Sequence, residues 1–156
     1  SAISRCNSFL TGSCGLRDAW YTGGMRKHDF SVKPRILVAS QTHDLADVYG
    51  YLFTAAGYRV SLAYDGLTAA ALAKVTKPDI AILNQHLPGL TGLGVLRELR
   101  AAGAGTRVII TSAMDEFPAL ARRALAEGAV RCVRQPCSSE QLLRMVATAL
   151  QPTWRR

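Results

Sequence analysis

From Pro34 onward, short runs dense in Val, Ile, Leu and Ala alternate with longer stretches whose apolar positions recur every three or four residues. The short runs predict strands at Arg35 to Ser40 (RILVAS), Tyr58 to Ala63, Ile80 to Asn84 (IAILN), Arg107 to Thr111 (RVIIT) and Val130 to Arg134. The longer stretches predict helices over Asp44 to Ala56, Leu67 to Val75, Gly92 to Ala102, Glu116 to Glu127 and Ser138 to Leu150. Punctuation falls where those helices need it. Gly57, Gly103 and Gly128 follow helices, Thr91 precedes one, and Ser138-x-x-Gln141 is a capping box. Strands one, three and four are nearly continuous in apolar residues, the mark of strands covered by helices on both faces. Strand–helix alternation with right-handed crossovers then predicts an α/β, doubly wound, five-stranded parallel sheet. Its ligand crevice is expected at the carboxyl ends of strands one and three.

Outside this pattern the chain is less regular. Residues 1–33 mix Gly, Ser and Thr with scattered apolar residues and hold neither a period of 2 nor one of 3.6, so a flexible N-terminal tail is expected there. Residues 34–151 are expected to form the domain and 152–156 a C-terminal tail. The opening stretch lacks the apolar core of a secretory signal, and no apolar run reaches bilayer-spanning length. A cytoplasmic location is the expectation. Trp20 and Tyr21 form an aromatic pair of the kind that anchors interfaces, although an incidental pair on a tail is the favoured reading.

Charge changes the picture only in part. The formal net charge is +8. Residues 1–33 hold five basic and two acidic side chains and the remainder fourteen and nine, so the excess is spread over tail and domain. A spread excess favours acidic partners generally and does not by itself require nucleic acid. Cys6, Cys14, Cys132 and Cys137 form no CxxC pair, and His28, His43 and His86 complete no zinc pattern, so free thiols and no metal are expected.

The order and spacing from Pro34 to Gln151 resemble the receiver domain of two-component response regulators, the CheY-like fold, which implies strand order 2-1-3-4-5 with helices on both faces. Four stretches carry the resemblance: PRILVAS with the polar pair that ends and follows it; KPDIAILNQHLPGLTGLGVLRELR; VIITSA; and EGAVRCVRQPCSSEQLL. In that family two acidic residues after strand one and an aspartate ending strand three hold magnesium, and the aspartate accepts a phosphoryl group. Here the matching positions are Ser40, Gln41 and Asn84, so all three carboxylates are missing. The family's lysine before a proline corresponds to Gln135, followed by Pro136. Ser112 keeps the hydroxyl position after strand four and is expected to join a neutral network with Asn84 or Gln135. Cys132 stands where the family usually carries an aromatic switch residue, and its place in a strand predicts inert burial.

Magnesium prefers hard anionic oxygens in tight octahedral geometry, and an amide cannot form an acyl phosphate. Any one of these substitutions reads as drift; together they neutralise one pocket. The expectation is a degenerate pseudo-receiver that is no enzyme, takes no cofactor or metal, needs no phosphoryl-donor kinase and rests in one conformation. His43 and His86, read as loop residues near the crevice, lack a third ligand.

The sequence given ends at Arg156, soon after the fifth helix, and output is therefore expected through surface contact rather than an appended domain. The resemblance implies docking on the face made by the fourth helix, fifth strand and fifth helix. That face carries Arg122, Arg123, Arg131, Arg134 and Arg144. Stepping the helices at 100° per residue puts Phe117, Leu120, Ala121, Ala124 and Leu125 on one inward stripe and Leu142, Leu143, Val146 and Leu150 on another, with the helical arginines outside. So many like charges favour an acidic protein partner over a symmetric self-dimer through this face, against the plainer reading of a solvated basic surface. Two other readings compete. One is a nucleic-acid binder using the arginines, which lacks a recognition helix or stacking platform; the other is a still-switchable atypical response regulator.

Overall fold

The computed structural model describes residues 33–113 and 117–151. The tail aromatics Trp20 and Tyr21, Cys6, Cys14, His28 and the expected helix start at Glu116 lie outside the described residues. In chain order the elements are β1 (Arg35–Ala39), α1 (His43–Ala55), β2 (Arg59–Ala63), α2 (Gly66–Thr76), β3 (Ile80–Asn84), α3 (Gly92–Ala101), β4 (Arg107–Ser112), α4 (Phe117–Ala126), β5 (Arg131–Arg134) and α5 (Ser139–Leu150). The strands form one parallel sheet in the order β2-β1-β3-β4-β5. That is the order implied by the resemblance.

Helices cover both sheet faces because the central strands present apolar side chains to each. Leu37, Leu83, Val108 and Ile110 point to the side of α2, α3 and α4, where they meet Ala69, Ala73, Leu96, Leu99 and Leu120. Ile36, Val38, Ile80, Ile82 and Ile109 point the other way, against Tyr49 and Phe53 of α1 and Leu142 and Val146 of α5. Burying a side chain of this size contributes about 1.5–3 kcal/mol, so these two layers supply the main stabilisation.

Element ends differ from the sequence expectation by a residue at several places. The reason is local capping. Asp65 accepts from the Thr68 N–H (2.7 Å) and hydroxyl (2.8 Å), which starts α2 at Gly66, and Lys77 in the left-handed conformation ends it. Thr91 accepts from the Gly94 N–H at 3.0 Å, and the Ser138–Gln141 capping box is formed in both directions. Gly57, Gly103 and Gly128 all have positive φ, as their places after helices anticipated.

Two side-chain placements need correction. Leu125 is 51 % exposed, not inward; α4 buries Leu120 and Ala124, and Leu125 sits at the margin of that stripe, one step too far round the helix. His43 is the first residue of α1, not a loop residue, and stacks on Tyr64 with ring centroids 4.0 Å apart. Among the described residues no helix is long and apolar enough to cross a membrane.

Candidate functional site

The carboxyl ends of β1, β3, β4 and β5 bring Ser40, Asn84, Ser112 and Gln135 to one rim, as neighbouring parallel strands in register must. Ser40 is buried just past β1; its N–H donates to the Ala63 carbonyl at 3.1 Å and its Oγ accepts from the Thr42 N–H at 3.2 Å. It therefore acts as a strand-end cap. Gln41 beside it is exposed.

Asn84 ends β3 half-buried. Its Oδ1 accepts from the His86 N–H at 2.8 Å, and its Nδ2 donates to Gln135 Oε1 at 3.2 Å. Gln135, joined to Pro136 by a cis peptide bond, is anchored by its own N–H, which donates to the Ser112 carbonyl at 2.8 Å. The Gln135 side chain also reaches the hydroxyl of Tyr49, a buried residue of α1, and the Cys137 thiol lies against that same hydroxyl. Burial pushes the Tyr49 phenol above its ordinary value; Cys137 adds to the rise and Gln135 opposes it. A neutral hydrogen-bonded chain thus runs from the His86 backbone through Asn84 to Gln135, whose side chain lies beside the Tyr49 hydroxyl.

Ser112 does not join it, contrary to the sequence expectation. Its fully buried hydroxyl donates instead to the carbonyl of Ala113 at 3.3 Å, an acceptor on the adjacent backbone. Cys132 is half-buried against the layer formed by α2, α3 and α4, and burial pushes its thiol up, with the Val133 backbone opposing. The burial expected for it is thus only partial.

Tyr49, Cys137 and Gln85 were not anticipated as parts of the rim. Gln85 shapes the loop after β3: its N–H donates to the Thr111 carbonyl (2.8 Å), and its Oε1 accepts from the Leu93 N–H (3.0 Å) at the start of α3. Two glycines allow that loop to pack closely. A Cβ on Gly66 would lie 1.8 Å from the Leu90 carbonyl oxygen, and one on Gly92 would lie 2.7 Å from that of Asn84. The Asp-Gly pair at the start of α2 was the signal available for the first of these.

The donor set does not fit a magnesium ion. Every side-chain oxygen among these rim residues is neutral; the Asn84 and Ser40 oxygens already accept backbone N–H groups, and Asn84 turns its amide nitrogen, a donor, toward Gln135. Among the described residues no group of three or more His, Cys, Asp or Glu side chains could hold a metal.

Around the β5 edge of the sheet, Arg122, Arg123, Arg131, Arg134 and Arg144 are all exposed. They are not equally free. Arg144 pairs with Glu140 at 3.2 Å, the Arg134 guanidinium lies 5.0 Å from the centre of the Phe117 ring, and Arg123 lies near Glu127, which is held by Arg97. Arg122 and Arg131 have no side-chain partner among the described residues.

The model of the response regulator receiver domain matches residues 36–147. The chain is 43% identical over 77 residues to a protein-glutamate methylesterase/protein-glutamine glutaminase of Myxococcus xanthus, covering 49% of this chain and 22% of that protein. It is 32% identical over 119 residues to the transcriptional regulatory protein YkoG of Bacillus subtilis, covering 76% of this chain and 52% of that one. The chain therefore spans about half, or less, of the length of these relatives. The solved receiver domain of a LuxO repressor protein from Vibrio parahaemolyticus superposes with a TM-score of 0.72 at 27% identity, over 76% of this chain and 91% of that one. The strand order, the rim at the carboxyl ends of β1 and β3, and a family match over residues 36–147 together place the chain in the response regulator receiver domain family.

Proposed function

We propose that residues 34–151 form a pseudo-receiver: a receiver domain that works without phosphorylation, as a protein-interaction module and not as an enzyme. The observation that carries this reading is the amide–amide hydrogen bond from Asn84 to Gln135, 3.2 Å long, in the place where the family keeps a phosphoacceptor carboxylate and a lysine. Ser40 and Gln41 replace the two acidic residues after β1, so no magnesium ligand set and no nucleophile remain. Without charge to neutralise, the rim holds one arrangement through neutral hydrogen bonds, and no phosphoryl-donor kinase is needed to set it. With Cys132 in the aromatic switch position, the usual rotating reporter is absent too.

Output then passes through surface contact. The exposed arginines of α4, β5 and α5 fit an acidic protein partner, and Arg122 and Arg131 are the cations best able to meet one. A cytoplasmic setting goes with this reading. The test is an NMR titration with magnesium and beryllofluoride. The reading expects the amide signals of Asn84, Gln135 and Ser112 to stay in place; saturable shifts at those three would overturn it.

A further inference from the structure

Among the described residues of this basic chain, most carboxylates are occupied internally. Asp65 caps α2, Asp79 accepts from the Arg35 N–H, and Glu98, Glu127 and Glu140 pair with Lys74, Arg97 and Arg144. Among the described residues the two exceptions lie together on α1. Asp44 has no partner there, and Asp47 is met only by the Tyr64 hydroxyl at 3.0 Å, which steadies it without cancelling its charge. Val48 and Tyr51 stand on the same side of the helix, at the spacing that forms one stripe, and are 54 % and 80 % exposed. An acidic edge beside an exposed aromatic is a docking surface in miniature.

Its complement is on the same molecule. Arg122 and Arg131 are exposed with no partner among the described residues; Leu125, three residues on from Arg122 in α4, is exposed too, and β5, which carries Arg131, packs against α4. The two surfaces cannot meet within one chain: α1 packs on β1 and β2 on one face of the sheet, and α4 packs on the other face at the β5 edge.

We propose that the α1 stripe of one protomer docks on the α4–β5 surface of a second copy. The carboxylates of Asp44 and Asp47 face Arg122 and Arg131, and Tyr51 and Val48 cover the Leu125 patch. Because the two surfaces differ and lie on opposite flanks, the contact is heterologous and adds copies head to tail instead of closing a symmetric dimer. Like charges that oppose an isologous pairing through the basic face are no obstacle to this arrangement. The inference rests on the reading of the α4–β5–α5 face as an acid-binding surface and names its partner.

Sedimentation velocity of the full chain over a concentration series, in about 50 mM and in roughly 500 mM salt, tests it. The wild type should show a mass that rises with concentration in low salt and returns to monomer in high salt. D44K/D47K and R122E/R131E should each weaken association by at least about tenfold, and their equimolar mixture should regain it, since every junction is then complementary again. D44K alone, which leaves the Tyr64 contact untouched, should give a smaller loss in the same direction, and circular dichroism melts check that each variant is folded. A wild type that stays monomeric in low salt, or a mixture that does not recover, overturns the proposal. A labelled oligoglutamate peptide separates the two readings. If it binds the wild type and not R122E/R131E while the chain stays monomeric, the acid-binding face stands and self-docking fails; if it binds neither, the face itself is refuted.

Discussion

Replacing Gln135 with Ala removes the side chain that links Asn84 to Tyr49. In the wild type its Oε1 accepts from Asn84 Nδ2 at 3.2 Å and its amide reaches the Tyr49 hydroxyl. Truncation takes the hydrogen-bond acceptor from Asn84 and a polar neighbour from Tyr49. Asn84 is half-buried and can recover part of its loss from solvent; Tyr49 is buried and has only the Cys137 thiol, a weak partner, left. At roughly 1 kcal/mol for the lost Asn84 hydrogen bond and a smaller amount for the Tyr49 hydroxyl, the expected destabilisation is about 1–2 kcal/mol. For a domain of this size that lowers the melting temperature by about 3–10 °C. The sharper assay is a double-mutant cycle between Asn84→Ala and Gln135→Ala, followed by urea denaturation. Direct bonding predicts a coupling energy of about 0.5–1.5 kcal/mol, because the second truncation removes a partner already lost. A coupling indistinguishable from zero, with Gln135→Ala melting within about 2 °C of wild type, would refute the neutral network.

Three further predictions address the loop, the cap and the thiol. Gly66→Ala should destabilise by about 3 kcal/mol or more, since its Cβ would sit 1.8 Å from the Leu90 carbonyl oxygen and backbone has to move; a melt near that of wild type would refute the close approach. Hydrogen bonds from the Thr68 backbone and hydroxyl hold the Asp65 carboxyl below its ordinary value, so its stabilisation is complete above the usual carboxylate range and is lost as pH falls through the lowered folded value. Melting wild type and Asp65→Ala across pH should show the variant less stable at neutral pH and the gap closing in acid; a constant gap contradicts the linkage. Burial pushes the Cys132 thiol up, so peptide mapping after iodoacetamide treatment should find it labelled slowly at neutral pH, gaining rate only in base, and rapid neutral labelling would contradict that placement.

The architecture was legible because its signals are redundant. Continuous apolar strands, helical periodicity and glycines at helix ends all specify the same alternation, so boundary errors of a residue leave the topology intact. The uncharged rim was legible too, since identity alone says that Ser40, Gln41, Asn84 and Gln135 carry no charge. What could not be read was which neutral group bonds to which. Ser112 and Gln135 are both plausible partners for Asn84 from strand order, and the choice depends on side-chain reach and a nearby backbone acceptor. Tyr49 was hidden because its spacing with Phe53 marks the buried face of a helix, where an aromatic reads as core; its polar tip was the clue that it needed a partner inside. Leu125 failed for a different reason, since a helical stripe drawn at 100° per residue does not say where the neighbouring sheet ends.

The account stands most directly on whether the rim can accept a phosphoryl group. Native mass spectrometry of the full chain after incubation with acetyl phosphate and magnesium at neutral pH measures this without chromatographic loss of a labile adduct. The unmodified mass alone is predicted. A species heavier by one phosphoryl group, mapped to the residues around Asn84, would contradict it.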